Sequence, residues 1–484
     1  MKDFHTLLEE CSDRNEIVSR YADSNVTICE HLGMVRDIAE KNRGFQFLNN
    51  GEDLAKLAAD HADRLLGGET GAEIYDALRF RVIHTADHHG GIYSSQGFQG
   101  DLLYGELLKQ MGYRGKHTPL FSGSHVELGN STYARGICCY GSPDGRQVLP
   151  LRRKLDINRM VAVTAGYDGE LIRRMENRLG KDSEAGIFSR EQTELLKSII
   201  DRIYKDPEIL SRERYADQIT LIGERLSGEI FSDTDSRRLV YIEVEEPVRK
   251  LMEKELKDDS TMLWHLFYDP AVLKALNSEI SEEGIPLSCM LLRGADAKGR
   301  RINTIVNETG GIEGIDHGGN HLGYPSDPDS LIALLEERKL IPYGLSTAAV
   351  LCFERGYTWT GGYFQALYLP KWAKLCERIF RASGLEGFAD CCAAYDGSSY
   401  LCGPVYALND TGSGTAVCAG PLEFIQKKPS EKAFESWLST SMGDAHRMGL
   451  FETYLDLVPA DSKDNSWYRA VAGYCGEHYK EHFL

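Results

Sequence analysis

Phe80-Arg-Val-Ile-His-Thr85, running into Ala86-Asp-His-His-Gly-Gly91, is the stretch on which the reading of this chain turns. Phe, Val, Ile and Thr suit a pleated surface, and the run empties into a polar loop closed by two glycines. A short strand displaying His84, Asp87, His88 and His89 at its end is predicted. Before it, Leu54, Leu57, Ala58, Ala62, Leu65 and Leu66 recur at helical spacing, and Gly67-Gly68 supplies a stop. Residues 1–80 therefore read as helical, with only a further turn or two at 74–78.

Beyond the strand, short β-type runs alternate with turns to about residue 165. Pro119-Leu-Phe-Ser122 and residues 133–140 are strand candidates, Ser142-Pro-Asp-Gly-Arg146 has hairpin-turn chemistry, and one helix is predicted near 101–111. Helical periodicity with dense charge returns over about 168–282, broken by the alternating run Arg238-Leu-Val-Tyr-Ile-Glu-Val244. A second mixed region opens with two predicted strands, 286–292 and 301–306, joined by Gly-Ala-Asp-Ala-Lys-Gly. A glycine-rich loop over 309–323 and a helix near 329–339 follow. The expected class is α/β, with mixed α+β as the alternative: a central mixed sheet flanked by helices. Four parts are expected: a helical segment at 1–80, a first sheet-bearing part of the core at 81–167, a mostly helical insertion or cap at 168–282, and a second α/β part at 283–484.

Composition bounds the partners. The chain has 484 residues, 42% hydrophobic and 26% charged, as in folded soluble proteins. A formal charge of −18 argues against nucleic acid and anionic membranes, which need Lys and Arg to displace counterions. The longest basic cluster, Leu151-Arg-Arg-Lys-Leu155, reads as a solvated turn or edge. An acidic start and no run of the ~20 apolar residues a membrane helix needs point to a soluble, cytoplasmic protein. The twelve cysteines are scattered without a CxxC pair, so reduced, buried thiols are expected.

Three imidazoles and a carboxylate within six residues are donors suited to Zn, Mn or Fe. Strict alternation would point His84 and His88 one way and Asp87 and His89 the other, so further ligands are sought elsewhere. Five of the fourteen histidines fall between 84 and 125, and a second polar cluster, Asp316-His317-Gly-Gly-Asn-His321, sits in the glycine-rich loop. The triplet Asp87-His88-His89 resembles that of the DHH phosphoesterases, whose metal site includes such a triplet. The resemblance covers those residues alone: no strand-borne Asp pair precedes them, and that family's function is not carried over. His125 lies before Gly129-Asn130-Ser-Thr-Tyr133-Ala-Arg135, where Arg135 suits a carboxylate or phosphate and Asn130 can orient an oxygen. Gln365 and Tyr368, after Gly361-Gly362, would share a helix face. Asp410-Thr-Gly-Ser-Gly414 is one copy of a pattern that works only as an acid pair, and no phosphate-cradling glycine motif is present.

The leading expectation is thus a metal-dependent enzyme of small-molecule metabolism, with hydrolysis as the default reaction. His84, Asp87, His88, His317 and His321 are the candidate metal ligands. Asp87, His89, His125 and Arg135 are the candidate catalytic groups, and Asn130, Arg135, Gln365 and Tyr368 would bind an anionic substrate. A metal-free transferase or ligase using histidine as general acid and base is the alternative, and a non-catalytic binding protein the third. A small-molecule substrate is the expected partner, with a homo-oligomer allowed.

Overall fold

A computed structural model describes residues 2–89, 93–129, 136–141, 145–231, 237–280, 284–412, 414–459 and 466–484, apart from the side chains of Ala86 and Asp87. Its strands are β1 (Val82–His88), β2 (His117–Gly123), β3 (Gly136–Cys139), β4 (Gln147–Pro150), β5 (Arg238–Glu243), β6 (Leu292–Ala295) and β7 (Arg301–Val306). They continue with β8 (Ile312–Ile315), β9 (His321–Tyr324), β10 (Leu340–Pro342), β11 (Thr358–Gly362), β12 (Tyr400–Cys402), β13 (Leu408–Gly412) and β14 (Thr415–Cys418). The class is α/β, with parallel and antiparallel strands sorted into separate sheets.

The parallel sheet has the order β12-β11-β1-β2-β5. The chain starts at the centre, builds outward through β2 and β5, then returns to lay β11 and β12 on the other side. In such a doubly wound order the switch lies between β1 and β11, and ligands bind beyond the carboxyl ends of the strands. Neighbouring residues serve two separate cores: Val82, Leu120 and Leu239 pack on one face, Ile83, Phe121 and Val240 on the other. Burial of both faces explains why these strands read as apolar runs rather than as clean alternation.

Helix Ser95–Gln110 follows β1 and begins ahead of the predicted 101–111, because Ser94 caps it through the Gly97 amide at 3.2 Å. Gly100 is needed there, since a Cβ would lie 2.7 Å from the Cys402 sulfur. Residues 68–78 form one full helix rather than isolated turns. The middle stretch is helical as its periodicity predicts, and it also supplies β5, the parallel sheet's outer strand, with helix Tyr215–Ile230 packed on it.

The second sheet is antiparallel, in the order β10-β6-β7-β8-β9. Residues 286–292, predicted as a strand, are mostly a 3₁₀ turn, Leu287–Met290, because Leu287, Met290 and Leu291 face the core at short helical spacing; β6 starts only at Leu292. The glycine-rich segment predicted as a loop contains β8 and β9 instead. Ile312 and Gly314 point inward and Glu313 and Ile315 outward, and a Cβ on Gly314 would lie 2.8 Å from Ile302. Its glycines thus serve strand packing as well as turns. The basic cluster is half interior: Arg152 is buried over the Tyr215 ring and donates to the Ala165 carbonyl at 2.6 Å, while exposed Arg153 pairs with Glu170.

Candidate active site

The carboxyl ends of β1, β2 and β5 bring together His88, His125, Ser124, Glu243 and Glu245. Helix Glu245–Glu255 starts directly after β5, so Glu245 sits at its first turn beside the end of β2. Both Glu245 oxygens accept the Ser124 amide at 2.9 Å, and Oε2 accepts the Ser124 hydroxyl at 2.8 Å. Oε1 also accepts the His125 amide at 3.1 Å and His125 Nδ1 at 2.6 Å. Burial pushes the Glu245 carboxyl up, but the His125 bond and charge and the Ser124 amide outweigh it, holding it below its ordinary value. A carboxylate accepting from Nδ1 fixes the proton there and leaves Nε2 as the basic nitrogen. His125 Nε2 has no hydrogen-bond partner among the described residues, and the side chain is 25% exposed.

Glu243 supports the same turn from beneath. It is 1% exposed, accepts both bonds from Arg214 Nη2 at 2.8 and 2.6 Å, and takes the Ser124 hydroxyl at 2.6 Å. The Ser124 hydroxyl is thereby shared between two carboxylates, one neutralised by Arg214 and the other facing His125. His88, which pairs with Gly123 across the β1–β2 ladder, lies within the field of His125 and Glu245. Burial and then the neighbouring His125 push its imidazole down to about 4.

Two histidines of the first cluster are committed to the scaffold. His84 is fully buried: Nδ1 lies 2.9 Å from the Thr360 hydroxyl, Nε2 lies 3.3 Å from the Cys402 sulfur and 3.5 Å from Asp101, and the ring stacks on Tyr104. Burial holds it neutral, with its pKa pushed down to about 3. His89 uses both nitrogens, on the Ser122 hydroxyl at 2.5 Å and on the Ala216 carbonyl at 2.8 Å, tying the end of β1 to helix Tyr215–Ile230. Gln365 is likewise internal, accepting from Thr85 at 2.9 Å and donating to the Trp359 carbonyl at 2.7 Å. Tyr368 packs against Trp372 with the rings tilted and their centroids 4.5 Å apart, and burial raises its phenol. Asn130 and Arg135 lie outside the described residues, as does the Asp87 side chain.

His317 and His321 stand exposed on the β8–β9 hairpin, at the far edge of the second sheet. Asp316 closes that turn on the Gly318 and Asn320 amides at 2.8 and 2.9 Å. None of the described hydrogen bonds, ion pairs or ring contacts joins this turn to residues 84–89. The second sheet reaches the site through other residues. Tyr343, just past β10, meets His125 edge-on with ring centroids 5.0 Å apart, and Arg293 of β6 lies over the Tyr343 ring at 3.9 Å. Among the described residues no three His, Cys, Asp or Glu side chains converge as a metal-ion cluster.

The helix after β1, the usual phosphate-binding terminus of a doubly wound sheet, is already filled. Glu452 accepts the Ser95 and Gln96 amides at 3.2 and 3.0 Å, the Ser94 hydroxyl at 2.9 Å and the Tyr140 hydroxyl, while Gly97 is bonded to Ser94. The chain's own carboxylate occupies the anion position, which accords with the absence of a phosphate-cradling glycine motif.

The sequence reading passed over Glu243, Glu245, Arg293 and Tyr343. The acids carried one usable signal, Ile242-Glu-Val-Glu-Glu-Pro247 at the end of a strand; Arg293 and Tyr343 carried none. No protein-family profile, no curated protein and no solved structure matches this chain.

Proposed function

We propose that this chain is an enzyme of small-molecule metabolism in which His125, oriented by Glu245, moves a proton to and from a small polar substrate. One observation carries the reading: His125 Nδ1 is 2.6 Å from a buried, well-anchored carboxylate, while Nε2 is unbonded among the described residues on a partly exposed ring. Glu245 holds the ring in one tautomer and stabilises the imidazolium that forms when Nε2 takes a proton. His84 and His89 have both ring nitrogens engaged, which leaves His88 and His125, and of these His125 is the one bonded to a carboxylate. Hydrolysis and group transfer both use such a base.

The metal-dependent reading has one observation in its favour. A carboxylate-backed imidazole is also the arrangement in which a Zn, Mn or Fe ligand is held, and His88 stands beside it. Two imidazoles suffice for proton transfer, whereas a resident metal site takes at least a third protein donor.

Purified protein incubated with a metabolite extract and followed by mass spectrometry tests both. Conversion of some component is expected, falling about 10²- to 10⁴-fold in His125→Asn with the fold intact. Conversion lost on chelation and restored by Zn, Mn or Fe would replace the metal-free reading with the metal-dependent one. Capture of a component without conversion would leave a binding protein.

A further inference from the structure

Arg293 is a charged group beside this site that has no counter-charge among the described residues. It is 4% exposed, and among the described residues its guanidinium makes one hydrogen bond, Nη1 to Asn303 Oδ1 at 2.5 Å, and one stacking contact, 3.9 Å above the Tyr343 ring. No Asp or Glu among the described residues pairs with it. Arg355, buried as deeply, takes Asp53 at 2.7 Å and also Glu255. Enclosing a cation without a partner costs several kcal/mol, and a guanidinium presents five N–H donors in a planar fork. Arg152 is likewise buried over an aromatic ring, that of Tyr215, and it donates to the Ala165 carbonyl at 2.6 Å.

Position gives the unused fork a purpose. Arg293 is set by the β6–β7 register, which places it opposite Asn303, and Asn303 fixes one edge of the guanidinium. Tyr343 supports its flat face and touches His125 with its ring. Guanidinium and imidazole are thus separated by no more than the two contacts together, the span of a compact metabolite.

We propose that Arg293, steadied by Asn303 and Tyr343, is an oxyanion subsite that takes the carboxylate or phosphate of the substrate and presents a group a few bonds away to His125. A planar fork binds either anion in bidentate fashion. The proposal rests on the reading of His125 as the proton-transferring group, although anion binding itself is measurable without turnover.

Orthophosphate and malonate, titrated separately into the full chain by calorimetry, test it. One of the two is expected to saturate a single site, which assigns the subsite to phosphate or to carboxylate. Arg293→Met is expected to weaken that binding at least about tenfold, and His125→Asn to change it less than about twofold. Should Arg293→Met fail to fold, Arg293→Lys keeps the charge, loses the fork, and is expected to weaken binding severalfold. Unchanged binding in the arginine variants, or no binding of either anion to the wild-type chain, overturns the proposal. If His125→Asn kept full turnover while Arg293→Met lost the anion, the acid–base reading would fail and the subsite would stand. The reverse pattern would remove the subsite alone.

Discussion

β1 and β8 each run into a histidine-bearing turn, yet the two turns end in opposite surroundings. The first is folded into the interior, where His84 and His89 hold strands and helices together. The second stands in solvent on an edge hairpin whose aspartate bonds its own backbone. The cause is strand direction. Parallel strands end on the same edge, so residues 84–89, 122–125 and 243–245 converge although the chain scatters them. Antiparallel strands end alternately on opposite edges, and β9 lies at the opposite side of its sheet from β10, the strand that leads to Tyr343 and so to His125.

Ion pairs test this contrast with the largest expected effect. Arg214→Met strands Glu243 as a buried charge and should cost roughly 3–5 kcal/mol in urea or guanidinium denaturation. Arg300→Met, which removes a partly exposed pair with Asp296 on the β6–β7 turn, should cost less than about 1 kcal/mol. Equal costs would mean that the two sheets are equally enclosed.

Acid should separate the two regions next. Burial pushes His84 and His446 down to about 3, against an unfolded value of about 6.5. The unfolded chain therefore binds protons that the folded chain refuses as pH falls from about 6.5 toward 3, so their contribution is present above that window and lost within it. Glu423 and Glu354 oppose this: burial raises them to about 7 and about 8, and their contribution is lost as pH rises from about 4.5 through those values. His446→Gln should remove up to about 1.4 kcal/mol per pH unit from the slope of stability between pH 4 and 6.

The smallest effect belongs to His317→Ala with His321→Ala. Exposed, and with side chains that make no bond among the described residues, they should shift stability by under about 0.5 kcal/mol and leave turnover in the His125 assay as it was. Loss of turnover in that double variant would bring the hairpin back into the site.

Much of the fold was legible because burial leaves a periodic trace. Leu54 through Leu66 marked a helix, Phe80 to Thr85 a strand, and Arg238 to Val244 another. What misled was glycine: Gly314, in the segment read as a loop, packs on Ile302 inside a strand instead of marking a turn. In the site, His125 was visible as a histidine near a strand end, but Glu245 lies 120 positions away and meets it only because β2 and β5 are neighbours.

The sequence by itself determined the class, the helical stretches before residue 80 and over 168–282, several of the strands, and a strand end rich in imidazoles. Which imidazole came to rest against a buried carboxylate was decided by tertiary structure. Burial and hydrogen-bond saturation spent His84 and His89 on the scaffold, and strand order set Glu245 behind His125 and brought Tyr343 and Arg293 alongside it. Local periodicity records which residues are enclosed; the partners they are enclosed with depend on strand order, and periodicity carries no trace of that.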